Sequence, residues 1–234
     1  MAFDFKKEED VKAYLQNIYL EYRFGCEKEK NGNSCHLLGD YMEGIKNEYD
    51  KAAQLYKDNC DDRNWPRSCA KYAGYVSIGR GCTKNIQEAF KYIQKSCDLD
   101  DPRGCVKAGE MAASPFDSFV ENRDEEIKLS IKNLEKACHK LNEEKGCFIL
   151  STIYLGSLKN EVEIDLPKAF KLSMKSCDAG NPYACANISQ MYARGEGIEK
   201  NDKLSESFKQ RAISLHNDVA KVRSQLQFQQ GIDN

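Results

Sequence analysis

Cysteine is the side chain here with the widest chemical range: it can be oxidised to a disulfide, ligate a metal, or attack as a thiolate. Ten of the eleven cysteines fall into five pairs, Cys26/Cys35, Cys60/Cys69, Cys97/Cys105, Cys138/Cys147 and Cys177/Cys185, with seven or eight residues between partners, and Cys82 is left over. Zinc ligands commonly have about two to four residues between them, so these intervals argue against a metal cage. Eight or nine residues of continuous helix rise roughly 12 to 13.5 Å, whereas disulfide partners need Cα atoms about 4.4 to 6.8 Å apart, so the chain must turn inside each interval. Every interval holds turn chemistry: Asn31-Gly32-Asn33-Ser34, Asn64-Trp65-Pro66, Asp100-Asp101-Pro102-Arg103-Gly104, Asn142 with Gly146, and Ala179-Gly180-Asn181-Pro182. Five disulfides are expected, each contributing roughly 2 to 3 kcal/mol in the chain-entropy model. The alternative is that the pairs are reduced core residues, since free cysteine is often buried. Cys82 occupies the turn position that Ile198 holds later in the chain, and reads as a free thiol packed as a small hydrophobe.

The pairs recur every 34 to 41 residues, which is the signature of a structural repeat. Four residues after the second cysteine stand Gly39, Ala73, Gly109, Ser151 and Ser189, all small; six after it stand Tyr41, Tyr75, Met111, Ile153 and Met191, all large. That is a short helix with a notch and a packing knob. A glycine turn follows, as in Gly79-Arg80-Gly81 and Gly195-Glu196-Gly197, and then a second helix such as Gln87-Glu88-Ala89-Phe90 or Pro167-Lys168-Ala169-Phe170 that ends at the next pair. Two helices per repeat, stacked in series, predict an all-α, right-handed α-solenoid of five helix-turn-helix repeats, stapled by disulfides. The expected bounds are an N-terminal helix over 8–26 and repeats over about 35–60, 69–97, 105–138, 147–177 and 185–226, all in one domain of 1–234. The terminal helices act as caps, and Ile213 stands where a further repeat would need a cysteine.

Hydrophobic residues make up 41% of the 234, charged residues 31%, the net charge is -2 and the mean hydropathy is -0.69, which together describe a soluble surface without the basic face that nucleic acid or anionic lipid would want. No stretch offers the uninterrupted apolar run of about 18 residues that a membrane span requires. Met1 to Asp10 has no secretory apolar core and carries acids unsuited to a matrix presequence. The cysteines nevertheless ask for an oxidising compartment, so either a signal has been trimmed or the protein enters such a compartment without one, as proteins of the mitochondrial intermembrane space do. Enzyme motifs fail: Ser68-Cys69-Ala70-Lys71 matches Ser-x-x-Lys without its companion motifs, and no phosphate-cradling loop appears. A catalytic role is not expected. The histidines, His36, His139 and His216, stand too far apart in sequence to form a ligand pair on one helix.

Departures from the repeat are candidate partner-binding places. Between the helices of the third repeat, Ser114 to Asp124 replaces the glycine turn with a longer segment carrying Phe116 and Phe119. These two either bind a partner or fold back over the ridge. Trp65, in a turn beside a cysteine pair, is a second candidate.

Cys177-Asp178-Ala179-Gly180-Asn181-Pro182-Tyr183-Ala184-Cys185, followed by Met191-Tyr192 and Gly195-Glu196-Gly197, resembles the Sel-like repeat, a relative of the tetratricopeptide repeat. Its cysteine-paired form occurs in secreted bacterial proteins and in one animal mitochondrial family. Leu38-Gly39-Asp40-Tyr41-Met42-Glu43-Gly44-Ile45, Ala52-Ala53-Gln54-Leu55-Tyr56-Lys57-Asp58-Asn59-Cys60 and Ala184-Cys185-Ala186-Asn187-Ile188 resemble the latter, the cytochrome c oxidase assembly factor seven family, over about Asp4 to His216. The resemblance implies a soluble intermembrane-space protein that supports assembly of cytochrome c oxidase and is imported through the oxidative disulfide relay; it is expected to be a monomeric binding scaffold whose protein partners are complex IV subunits or copper-delivery factors. It also brings the alternatives of haem binding and of thiol-disulfide reduction at copper-site assembly; a secreted protein of the bacterial type is a further one. Family haem ligation has been attributed to two histidines whose matching positions here are Val106 and Ala113, so no cofactor is expected.

Overall fold

A computed structural model describes residues 3–116, 119, 122–158 and 160–229, with side chains as far as Asp218 and at Lys221. Among the described residues there are eleven α-helices and no strand: α1 (Glu8–Glu27), α2 (Gly32–Tyr41), α3 (Tyr49–Arg63), α4 (Pro66–Ile78), α5 (Ile86–Asp98), α6 (Pro102–Ala113), α7 (Arg123–Glu135), α8 (Glu144–Thr152), α9 (Leu166–Asp178), α10 (Pro182–Arg194) and α11 (Asp202–Gln229). Three helices run on into wider π-helical turns, at Met42–Lys46, Lys136–Lys140 and Ile153–Ser157. The chain divides into two compact units, Met1–Met111 and Ala112–Asn234, the division falling in the last turn of α6. In the first, α1 to α5 pack each on the next; in the second, α7 to α11 do the same. Helix pairs repeated in series are the α-solenoid class that the recurring cysteine pairs predict.

Local chemistry sets the helix ends. The side chains of Asn31, Asn85, Asp165 and Asn181 accept from backbone N–H groups in the first turns of α2, α5, α9 and α10. Proline stands in the first turn of α4, α9 and α10, where its missing N–H is not needed. Gly79 and Gly195 close α4 and α10 in the left-handed conformation, at φ 75° and 73°. The second glycine of each turn allows a close approach between backbones. A Cβ on Gly81 would strike the backbone of Tyr49, and one on Gly197 would lie 2.6 Å from the backbone of Leu166. The glycine turn thus lies on the N-terminus of the second helix of the preceding repeat.

The notches pack as the spacing predicts. Ala73 and Ser151 are buried, as are the small residues Ala52, Ala89 and Ala169 on the second helices, and Gly39 on α2 lies against the ring of Tyr56, which is itself fully buried with its hydroxyl on Asp40 at 2.7 Å. The cysteines form part of the cores: Cys26 and Cys35 with Leu38, Cys138 and Cys147 with Leu134, Leu150 and Ile153, and Cys177 and Cys185 with Ala184 and Ile188. A Cβ on Gly39 would stand 2.5 Å from the Tyr56 ring. Gly39→Ala is expected to lower the stability measured by urea unfolding by about 1 to 3 kcal/mol through overpacking. Gly74→Ala, on α4 with nothing within 4 Å of the new Cβ, is expected to be neutral or stabilising.

Candidate functional site

The sequence-predicted cysteines come together at five joints, each between the helix that ends one repeat and the helix that begins the next: α1–α2, α3–α4, α5–α6, the π-helical turn after α7 with α8, and α9–α10. The paired Cα atoms are 4.2 to 4.8 Å apart and the sulfurs are bonded. Cys26 and Cys35 keep a trace of exposure and the other eight have none.

Each joint is more than a sulfur bond. At three of them the residues just before the two cysteines face one another, and one of the two is glycine: Gly25 meets Ser34, Gly104 meets Ser96, and Gly146 meets Ala137. At the α3–α4 joint the pair is Asn59 and Ser68, hydrogen-bonded at 2.7 Å. The residue before the first cysteine also donates one repeat back, to the backbone carbonyl that opens the preceding first helix: Asn59 to Gly32 (2.8 Å), Ser96 to Pro66 (2.9 Å) and Ser176 to Glu144 (3.0 Å). One residue earlier stands a base that reaches the carbonyl of the first cysteine of the preceding pair: Lys95 to Cys60 (2.8 Å), Lys175 to Cys138 (2.6 Å) and Arg211 to Cys177 (3.2 Å). A cation at the negative end of a helix dipole, on carbonyls the helix leaves unpaired, is favourable. The sequence carries this signal as Lys95-Ser96-Cys97 and Lys175-Ser176-Cys177, but local patterning does not reveal it, because the contacts span 35 and 37 residues.

A polar seam crosses the first unit. His36, fully buried, has Nδ1 3.0 Å from Ser68 Oγ and Nε2 3.6 Å from Asp40, and Lys71 bridges Asp40 (3.4 Å) and Glu43 (2.6 Å). Arg80 reaches Glu43 at 3.5 Å and lies 3.9 Å over the ring of Tyr49. Burial drives the His36 pKa below its ordinary value against the opposing pull of Asp40, so the ring is neutral. Burial pushes the Glu43 carboxyl up, but the hydrogen bond and charge of Lys71 outweigh it and the pKa falls.

In the second unit Arg123 closes α6, donating to the carbonyls of Ala112, Ala113 and Ser114 at 2.8 to 3.2 Å and pairing with Glu126 and Glu161. It fixes the base of the insertion, of which Asp117, Ser118, Val120 and Glu121 lie outside the described residues. Phe116 is 89% exposed; the fold-back over the ridge does not describe this ring. Phe119 is half-buried, its N–H on Glu126 at 2.6 Å. Trp65 is half-buried on Gly32 at the start of α2, its ring 2.7 Å from where a Cβ would stand. Cys82 is half-buried, its Sγ 3.5 Å from the Arg80 carbonyl, and burial with the charge of Glu88 raises its pKa, which keeps it a thiol. Val106 and Ala113 both lie on α6. Among the described residues no group of three His, Cys, Asp or Glu could hold a metal, and no helix is long and apolar enough to cross a membrane.

The Sel1 repeat family matches residues 32–57, 66–101, 145–181 and 182–217, more than half of the chain, and passes over the pair α6 and α7 with its insertion. The cytochrome c oxidase assembly factor 7 homolog of Drosophila melanogaster is 38% identical, covering 99% of this chain and 98% of its own. The chain belongs to the cytochrome c oxidase assembly factor 7 family. The Xenopus tropicalis protein of that name is 34% identical over 96% of this chain and 97% of its own. Among solved structures, a Sel1 repeat protein from Oxalobacter formigenes superposes with a TM-score of 0.73 at 17% identity, covering 88% of this chain and 82% of that one, a likeness that shows the fold.

Two outcomes are expected for this family member. Lys175→Met should lower stability by about 1 kcal/mol in urea titration, because it leaves the Cys138 carbonyl without its cation. A histidine buried neutral contributes stability fully above its unfolded pKa, and loses it as pH falls below about 6.5. Between pH 7 and 5 the melting temperature should therefore fall more steeply in the native protein than in His36→Gln.

Proposed function

We propose that this protein is a non-catalytic, disulfide-held binding scaffold that supports assembly of cytochrome c oxidase in the mitochondrial intermembrane space, which it enters through the oxidative relay. The observation that carries the reading is the set of five joint disulfides in a chain related over nearly its whole length to proteins named for cytochrome c oxidase assembly. Short-range disulfides at every joint suit a compartment where oxidation traps the folded protein. Sel1 repeats are protein-interaction modules, and the monomer offers its partners, complex IV subunits or copper-delivery factors, the exposed helix and loop surfaces of its repeats.

The sulfur geometry weighs against the reductase alternative. An exchanging disulfide needs an accessible sulfur, and eight of the ten paired cysteines are fully buried. Haem has no histidine at Val106 or Ala113 to ligate it. Of the contact candidates, Phe116 is the ring most available to a partner, with Phe119 and Trp65 behind it.

The test is depletion of the protein followed by measurement of complex IV on native gels. Wild-type protein should restore complex IV. Phe116→Ser should keep the native melting temperature, because so exposed a ring contributes little to folding, yet recover complex IV subunits less in co-purification. Full complex IV in depleted cells would overturn the reading.

A further inference from the structure

The basic residue that caps other joints is missing at the first one. At the joints of Cys60, Cys138 and Cys177 the base two residues before the next repeat's cysteine position, Lys95, Lys175 or Arg211, donates to the cysteine carbonyl. It also meets a neighbouring polar group: Lys95 lies 3.7 Å from Asp61, Lys175 3.4 Å from Asn142, and Arg211 3.0 Å from Asp178. Asp61 and Asp178 are the residues just after their cysteines, and the corresponding acid after Cys26 is Glu27. The residue two before Cys60 is Asp58, an acid that can only accept. So where the α3–α4 and α9–α10 joints have an ion pair, the first joint has two carboxylates, Glu27 and Asp58, the latter accepting from Gln54 at 2.6 Å, and the last turn of α1 contains no base. Among the described residues Glu27 has no cationic partner.

These groups rim a groove of 280 Å³ between α1, α2 and α3, with Tyr19, Leu38, Met42 and Leu55 as an apolar floor and Glu27, Gln54 and Asp58 on its edge. Arg23 and Lys51 also stand on the rim, but Lys51 is paired with Glu48 at 2.9 Å and Arg23 lies 5.4 Å from the ring centre of Tyr19. Arg23 belongs to α1 itself, and helical side chains lean toward the N-terminus, away from the carbonyl end that needs the cation. An apolar floor beneath two carboxylates and a helix C-terminus fits one kind of side chain: an aliphatic stem ending in a positive charge.

We propose that this groove docks a lysine or arginine side chain of a partner protein, which takes the place that Lys95, Lys175 and Arg211 fill at the other joints. The proposal rests on the scaffold reading, but its failure would remove only this groove, because that reading is tested separately by complex IV levels. The charge is the discriminating feature, the stem supplies contact area, and the internal lysines show the geometry the incoming residue adopts.

The experiment titrates ¹⁵N-labelled, oxidised full-length protein with a peptide of the α5 sequence, residues 86–98, carrying Cys97→Ser and Lys91→Gln so that Lys95 is its one lysine. Its control carries Lys95→Met as well. The lysine peptide should shift the amides of Cys26, Glu27 and Asp58, and the methionine peptide should bind at least about five-fold more weakly. Asp58→Asn should weaken the lysine peptide without a change of fold. Asp58→Lys should abolish its binding and raise the melting temperature by about 2 °C, by supplying the cap internally. Equal binding of the two peptides, shifts confined to other helices, or undiminished binding to Asp58→Asn would overturn the proposal. Concentration-dependent shifts at the same three residues without peptide would make the occupant a second copy of this chain, and would overturn it too.

Discussion

Each of the five joints between helices is under the same constraint: the chain must turn within an interval of seven or eight residues and bring two cysteine Cα atoms to within 5 Å while the helices on either side keep their packing. That requirement propagates. The turn must reverse the chain at once, which calls for the asparagine caps and the prolines of the first helical turn. The residues flanking the sulfurs come into contact, which keeps one of the facing residues to glycine at three of the joints. The helix that delivers the first cysteine ends inside the structure, with its last carbonyls facing the next repeat, and at three joints a base from that repeat reaches them. A single short loop thus dictates residue choice at positions more than 30 residues away.

The joint is also what suits these repeats to the proposed scaffold role. In a repeat array each unit contacts only its neighbours, so stability is the sum of unit and interface terms, and a weak interface opens first. Here each joint carries a covalent bond, three carry a cation on a helix end and three a side chain on a helix start, which hold the helices at a joint in fixed relation and leave outer helix surfaces free. The first joint departs from this pattern in charge, and the third repeat departs from it in loop length. Regularity elsewhere is what makes those two departures informative.

The sequence is most legible where the chemistry is local. Cysteine intervals, asparagine before a helix and glycine pairs in a turn are properties of adjacent residues, and the predicted notches at Gly39, Ala73 and Ser151 are buried as the repeat phase requires. The π-helical turns after Tyr41, Glu135 and Thr152 give no local sign, since a helix widens by one residue wherever tertiary packing favours it. The Lys-Ser-Cys signal is visible but mute: a lysine in a last helical turn has many uses, and only the fold shows it reaching back a full repeat. Phe116 is ambiguous in sequence because a phenylalanine in a loop can cover a core or stand free, and nothing local decides between them.

The proposed scaffold role and the proposed oxidising compartment both hang on which sulfur joins which. Mass spectrometry of tryptic peptides, from protein unfolded and alkylated without reduction, reads this directly. The expected result is cross-linked peptides for Cys26–Cys35, Cys60–Cys69, Cys97–Cys105 and Cys138–Cys147, a closed loop within one peptide for Cys177–Cys185, and Cys82 recovered alkylated. Pairing in any other order, or all of these cysteines alkylated in protein taken directly from cells, would contradict it.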